Sequence, residues 1–212
     1  MGKKKKKRRV NRSRIWTALL LAPVTFVVLT LLMILLADKL EIPQKIGERT
    51  QEFFGLSVPD DYIPLYKEAA DAYGIPWTLL AAHHRVETKF STMDPLVSPV
   101  GAEGHLQFMP CTFVGWSHPT CSGLGEGDIS DQEKTDPAVI EKYGGYGVDG
   151  NGDGKADPFN LRDALYSAAN YLAANGAAEG ELEQAVFRYN HSKEYVEQVM
   201  KFYRKYEEQL NS

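Results

Sequence analysis

The 212-residue chain is 43% hydrophobic and 25% charged, enough for one ordinary globular domain plus an additional segment. Its net charge of −4 hides an asymmetry: nine basic residues fall within the first 14 positions, so everything after them carries about −13. That balance excludes nucleic-acid binding by the body of the chain, and the 2 cysteines are too few for a disulfide-built scaffold.

In chain order, residues 1–14 hold Lys3 to Lys7, Arg8, Arg9, Arg12 and Arg14 with no acidic residue, and read as a basic cytoplasmic tail. Residues 15–36 (IWTALLLAPVTFVVLTLLMILL) carry no charge and, at about 1.5 Å per residue, match the hydrocarbon thickness of a bilayer. They predict one transmembrane helix in which Pro23, near one end, is tolerated. The basic flank sets its orientation, with the N-terminus inside and the rest outside the cytoplasmic membrane. A cleaved signal peptide is the rival, but the span exceeds a typical h-region and ends LLADKL rather than in a small-x-small site.

Residues 37–59 mix Pro, Gly and both charges without periodicity and read as a stalk. The folded domain is expected over residues 60–212. Its first helix runs from a cap at Asp60 or Asp61 through Tyr73, ended by Gly74. Pro76 opens a second helix, with Trp77, Leu80, Ala81 and His84 on one stripe and Leu79, Ala82 and Val86 on the next. Residues 91–160 are rich in Gly, Pro, Ser and Asp, and a loop region of that length is expected to carry the substrate groove. Helical pattern returns over Leu161 to Asn175 behind an Asn160 cap, then over Glu181 to Tyr189 and Glu194 to Leu210. No stretch alternates as a strand, so the fold class is mostly α.

Glu87 ends the second helix between apolar Val86 and Phe90. A carboxylate near a helix C-terminus feels the negative end of the macrodipole, and both effects disfavour ionisation, as a general acid requires. In the following SPVGAEGHLQFMP segment, Gly101 and Gly104 would let backbone come close to a bound ligand, and Gln107 supplies an amide donor and acceptor that could grip it. Met109 and Phe108 are equally compatible with core packing. Cys111 and Cys121 sit in a loop on the oxidising side of the membrane, where they form a bridge or stay as two thiols. His83 and His84 share a helix face with Glu87, but without HExxH or a third ligand they read as buried or cleft-lining rather than zinc-binding. Asp149, Asn151, Asp153, Lys155 (through its carbonyl) and Asp157 stand at EF-hand positions 1, 3, 5, 7 and 9 with Gly154 at 6, while position 12 is Asn160 rather than Glu. The alternative there is an Asx-rich turn.

The order Glu87-Thr88-Lys89-Phe90, then SPVGAEGHLQFMP, then Phe187-Arg188-Tyr189-Asn190 resembles the lytic transglycosylases with the goose-type-lysozyme-like (SLT) fold. The stretches DGNGDGKADPFNLRDALYSAANYLAANG and RYNHSKEYVEQV resemble the membrane-bound B type, so the likeness covers roughly residues 60–200. The resemblance implies a lysozyme-like helical domain acting on peptidoglycan glycan strands. It places Ser98, Met109, Tyr189 and Asn190 about the reacting sugar and makes Glu87 first the acid, then the base, of a reaction yielding 1,6-anhydro-MurNAc. It needs no cofactor for catalysis, and it implies a lengthened calcium loop over 149–163 completed by Asp163. The family usually has Ser where Thr88 stands, and Lys89 and His191-Ser192 are further departures. The rival functions are a hydrolytic muramidase using Glu103 or Asp94 as second carboxylate, and a non-catalytic wall-binding component of an envelope-spanning machine. Protein partners are not indicated.

Overall fold

The computed structural model describes residues 57–211, so the expected basic tail, transmembrane helix and nearly all of the stalk lie outside the described residues. Val58–Ser212 forms one compact unit. Among the described residues no helix is long and apolar enough to cross a membrane.

A 3-10 turn over Asp60–Tyr62 leads into α1, Ile63–Tyr73. Asp60 and Asp61 make no side-chain cap; they occupy the first turn, where their charge suits the positive end of a helix. Gly74 ends α1 at φ 67°, a left-handed position that costs a residue with a Cβ more than glycine. Next comes α2, Trp77–Thr88, where the two expected stripes merge into one buried cylinder: every residue from Thr78 to His84 is inaccessible. A helix buried all round along such a stretch belongs at the centre of a domain. Here α2 is packed by α1, by α6 (Leu161–Ala174) and by α8 (Lys193–Leu210). The small Ala81 and Ala82 lie at the middle of that buried stretch.

The long middle region is more ordered than its composition suggests. It holds α3 (Pro110–Val114), α4 (Asp131–Thr135) and α5 (Pro137–Tyr143). Each is one or two turns, too short for helical periodicity to show, but two carry cap signals. Ser130 and Glu133 form a reciprocal capping box on α4, and Asp136 accepts from the Ala138 N–H at the start of α5. The Cys111–Cys121 disulfide is formed, with its Cα atoms 5.7 Å apart, and ties α3 to the loop after it. The expected absence of strands holds among the described residues, where β-pairing is confined to the bridges Val97–Glu103 and Glu103–Phe108.

Asn160 caps α6 by accepting from the N–H groups of Arg162 and Asp163. After a 3-10 turn at Ala177–Glu179 come α7 (Leu182–Asn190) and α8, which Ser192 caps. Leu79, Leu80, Leu106, Leu165, Leu172 and Val199, all fully buried, belong to one core shared by the central helix, its neighbours and the glycine-rich segment.

Candidate active site

Glu87 lies in the last turn of α2, and the chain beyond it does something uncommon. Lys89, Phe90 and Ser91 have φ of 51°, 61° and 65°, three successive non-glycine residues in the left-handed region. Such backbone persists only where its surroundings over-determine it. The determinant is Thr88, whose hydroxyl donates to the His105 carbonyl at 2.8 Å and accepts from the Ser91 N–H at 3.1 Å, while its own carbonyl takes the N–H groups of Thr92 and Met93. The hydroxyl is therefore the functional part of Thr88, and its extra methyl is packed away in a residue 1% exposed.

A second network fixes the same corner. Tyr66 Oη meets His84 Nδ1 at 2.7 Å, His84 Nε2 meets Ser91 Oγ at 2.6 Å, Ser91 Oγ meets His105 Nδ1 at 2.7 Å, and His105 Nε2 meets the Phe159 carbonyl at 2.9 Å. With both histidines neutral, one proton direction along this chain satisfies every atom. Burial favours neutrality, pushing His84 down to about 3 and His105 below its ordinary value. His84 is thus a tie between α1, α2 and the loops rather than a zinc ligand.

Glu87 faces a cleft of about 690 Å³. Of the residues expected at the site, Glu87, Ser98, Gln107, Met109, Tyr189 and Asn190 line it together, although 103 positions separate the first from the last. Phe108, by contrast, is 2% exposed and belongs to the core, which separates the two roles left open for Phe108 and Met109. Gly101 and Gly104 are not among the lining residues. A Cβ on Gly104 would lie 1.9 Å from the Pro158 carbonyl oxygen, so this glycine (φ 77°) makes room for neighbouring backbone instead of a sugar. Gln107, itself at φ 51°, donates its amide to the Gly104 and Leu96 carbonyls at 2.7 and 3.3 Å, which leaves its oxygen as the group to meet a ligand. Ser98 Oγ accepts from the Ala102 N–H at 2.9 Å and keeps a proton to donate.

The carboxyl of Glu87 is pushed up from 4.5 to about 7, chiefly because it is enclosed by protein, with a hydrogen bond from Tyr195 acting in the opposite direction. Tyr195 Oη donates to Glu87 Oε1 and stands 2.9 Å from His83 Nδ1. Tyr189 lies parallel to Tyr195 at 6.5 Å and against His83 at 5.0 Å, and spends its hydroxyl on the Leu106 carbonyl at 2.8 Å. Sequence reasoning missed Tyr195, because its spacing with Val199 reads as an ordinary core stripe of α8. It also missed Trp116, Tyr146, Tyr171 and Arg188, which line the cleft. Trp116, 54% exposed in a short turn, offers the one available signal, a large aromatic with no core to fill.

Among the described residues, Glu87 is the sole carboxyl group lining this cleft. Glu103 is held by Lys134 at 2.8 Å beside a separate, smaller pocket, and Asp94 is exposed outside the cleft.

In the acidic loop, Asp149 accepts from the N–H groups of Gly152, Asp153 and Gly154, Asn151 from Asp153, Asp153 from Lys155, and Asp157 from Phe159. Asp163, fully buried on α6, accepts from Gly150, Asn151 and Asp157. Asp149, Asn151, Asp153 and Asp157 thus lie in a loop that folds against Asp163 at the start of α6. However, their carboxylates are engaged by backbone N–H groups, and among the described residues no three acidic, His or Cys side chains stand close enough to form a ready metal cluster.

Residues 140–185 match the protein family described as Transglycosylase SLT domain. The matched stretch holds the acidic loop, α6 and the start of α7, and stops short of Tyr189; Glu87 lies outside it. A B. subtilis (strain 168) protein named L-Ala--D-Glu endopeptidase is 38% identical over 53 residues, which is 25% of this chain and 16% of that protein. The chain therefore matches only a small part of that relative's length. No solved structure gives a significant match.

Proposed function

We propose that the domain cuts the glycan strands of peptidoglycan as a lytic transglycosylase. The observation that carries this reading is the single, proton-holding carboxyl of Glu87 in an open cleft, with the partial likeness to the SLT transglycosylase family naming the substrate. Its raised pKa lets Glu87 hold a proton near neutral pH. It gives its proton to the oxygen between MurNAc and GlcNAc, the bond to muramyl C1 breaks, and the GlcNAc hydroxyl departs. The resulting carboxylate takes the proton of the muramyl 6-hydroxyl as O6 attacks C1. A 1,6-anhydro ring forms, Glu87 is protonated again, and no water is consumed. One carboxyl acts as both acid and base.

Hydrolysis by the usual paired-carboxylate route asks for a second carboxyl about 5–9.5 Å from the first. The ion pair of Glu103 with Lys134 and the exposure of Asp94 leave that role unfilled. The likeness to the membrane-bound B type rests on the sequence alone, as do the anchor over residues 15–36, the extracytoplasmic location and the calcium role of the 149–163 loop; all four belong to this proposal. The name of the B. subtilis relative describes that protein alone.

The test is mass spectrometry of muropeptides released from purified walls. Anhydro-muramyl ends are expected, and Glu87→Gln is expected to lower their release by at least ~10²-fold, the low end of acid–base catalysis. Reducing muramic ends alone would make the protein a muramidase. Glycan binding without release, by wild type and variant alike, would make it a wall-binding component.

A further inference from the structure

A tyrosine hydroxyl has one proton, and Tyr195 gives it to Glu87 Oε1. The 2.9 Å contact with His83 Nδ1 must then run the other way, with His83 donating and Tyr195 accepting. This fixes His83 as the Nδ1–H tautomer. Its other nitrogen, Nε2, is buried with no hydrogen-bond partner, although His83 is completely inaccessible. Buried polar atoms without partners are uncommon, and each invites an explanation. A histidine kept for packing alone would be served as well by leucine. What leucine lacks is the Nδ1–H.

We propose that His83 is a positioning residue for Glu87, acting through Tyr195: the relay His83 Nδ1–H to Tyr195 Oη–H to Glu87 Oε1 locks the carboxyl and leaves Oε2 to carry the transferable proton. This rests on Glu87 being the acid of the proposed reaction. A donor behind Tyr195 polarises its hydroxyl and strengthens the bond it makes to the carboxylate, since consecutive hydrogen bonds reinforce one another. The relay also spans elements, because His83 and Glu87 sit one turn apart on α2 while Tyr195 comes from α8. It therefore couples the central helix pair to the orientation of a single carboxyl. His83 stays neutral throughout, being pushed down to about 3 by burial, so it does not titrate with the reaction. Tyr189 from α7 faces this relay, its hydroxyl held well above its ordinary range chiefly by burial, and Arg188 lines the adjoining cleft.

The experiment compares His83→Leu and His83→Asn in the full-length chain. Leucine removes the donor at similar volume, whereas the asparagine amide places an N–H near the position of Nδ1. Glutamate labelled with ¹³C at the side-chain carboxyl reports the titration of Glu87, with Glu87→Gln identifying its resonance. For His83→Leu the expected result is an upward move of the Glu87 midpoint, kcat lower by about tenfold at unchanged KM (a fraction of the full acid–base effect), and an undiminished melting temperature. His83→Asn should recover most of both. An unchanged midpoint and unchanged kcat in His83→Leu would overturn the relay, as would a loss confined to melting temperature. The titration needs no turnover, so a wild-type chain that released no product would remove the transglycosylase reading while the midpoints still decided the relay.

Discussion

Glu87 draws two opposing influences from one environment, and its stability signature follows from their balance. Enclosure disfavours the carboxylate and Tyr195 favours it; enclosure wins, leaving ionisation near 7. An unfolded glutamate ionises near ~4.3. Because the folded state holds this proton more tightly, Glu87 contributes stability that is fully present below about 4.3 and is lost as pH rises through about 7. The difference amounts to about 4 kcal/mol at most, at ~1.4 kcal/mol for each tenfold change in proton affinity. Glu87→Gln, which cannot ionise, should therefore melt higher than wild type at pH 8, with the gap closing toward pH 4. Parallel melting curves of the two proteins across that range would place Glu87 in a solvated site instead. Activity has the same root: the protonated fraction falls tenfold for each pH step of one well above pH 7, and the alkaline limb of the rate profile should follow it. At this scale the sequence was informative where a residue type has few uses. Glu87 and Gln107 could be singled out by residue type, and Asn190 through the family resemblance alone, whereas Tyr195 and His83 take their meaning from hydrogen bonds between residues 112 positions apart.

Among the elements, the acidic loop and α6 show how a motif can be visible while its role stays open. The alternate-oxygen spacing from Asp149 to Asp157 was legible, and so was the Asn160 cap. The burial of Asp163 was not, because it depends on the loop folding back over the first turn of α6. Asp163 takes three backbone N–H groups at 3.0 Å each, and burial raises its pKa against the lowering effect of those bonds. Replacing it by alanine strands three donors, so Asp163→Ala should cost about 2–4 kcal/mol, beyond what a surface loop change usually does. If the loop also takes Ca²⁺, a bound cation would offset the crowding of Asp149, Asp153, Asp157 and Asp163. Millimolar calcium should then raise the wild-type melting temperature and leave Asp163→Ala unmoved, as selective binding to the native state requires. Coincident wild-type curves in calcium and in chelator would reduce the loop to a turn held by its own backbone. The short helices α3, α4 and α5 escaped sequence reading for a different cause: five to seven residues cannot display a 3.6-residue period.

For the molecule as a whole, the question is which part of the chain contains the information for the fold and the site. The core runs without a break through α1, α2, α6, α7 and α8, and its described members begin at Val58, which packs against it. Every cleft residue, the disulfide and the relay to Glu87 also fall after that position. The helical class and the placement of these five longer helices were readable beforehand from period, caps and the bounding glycines. The depth of α2 was less so, since a helix buried on every side has only a weak periodic signal. A chain starting at Val58 should therefore fold cooperatively and release the same anhydro ends from purified walls as the full-length protein, with kcat changed by no more than a few-fold. In the proposal the segment before it supplies location: its 22 uncharged residues behind nine basic ones should keep the full-length chain in the membrane pellet after alkaline carbonate extraction, while the Val58 chain stays in the supernatant. Full-length protein extracted by carbonate would remove the anchor from the proposal, and a Val58 chain that fails to fold would mean that the preceding residues supply part of the core.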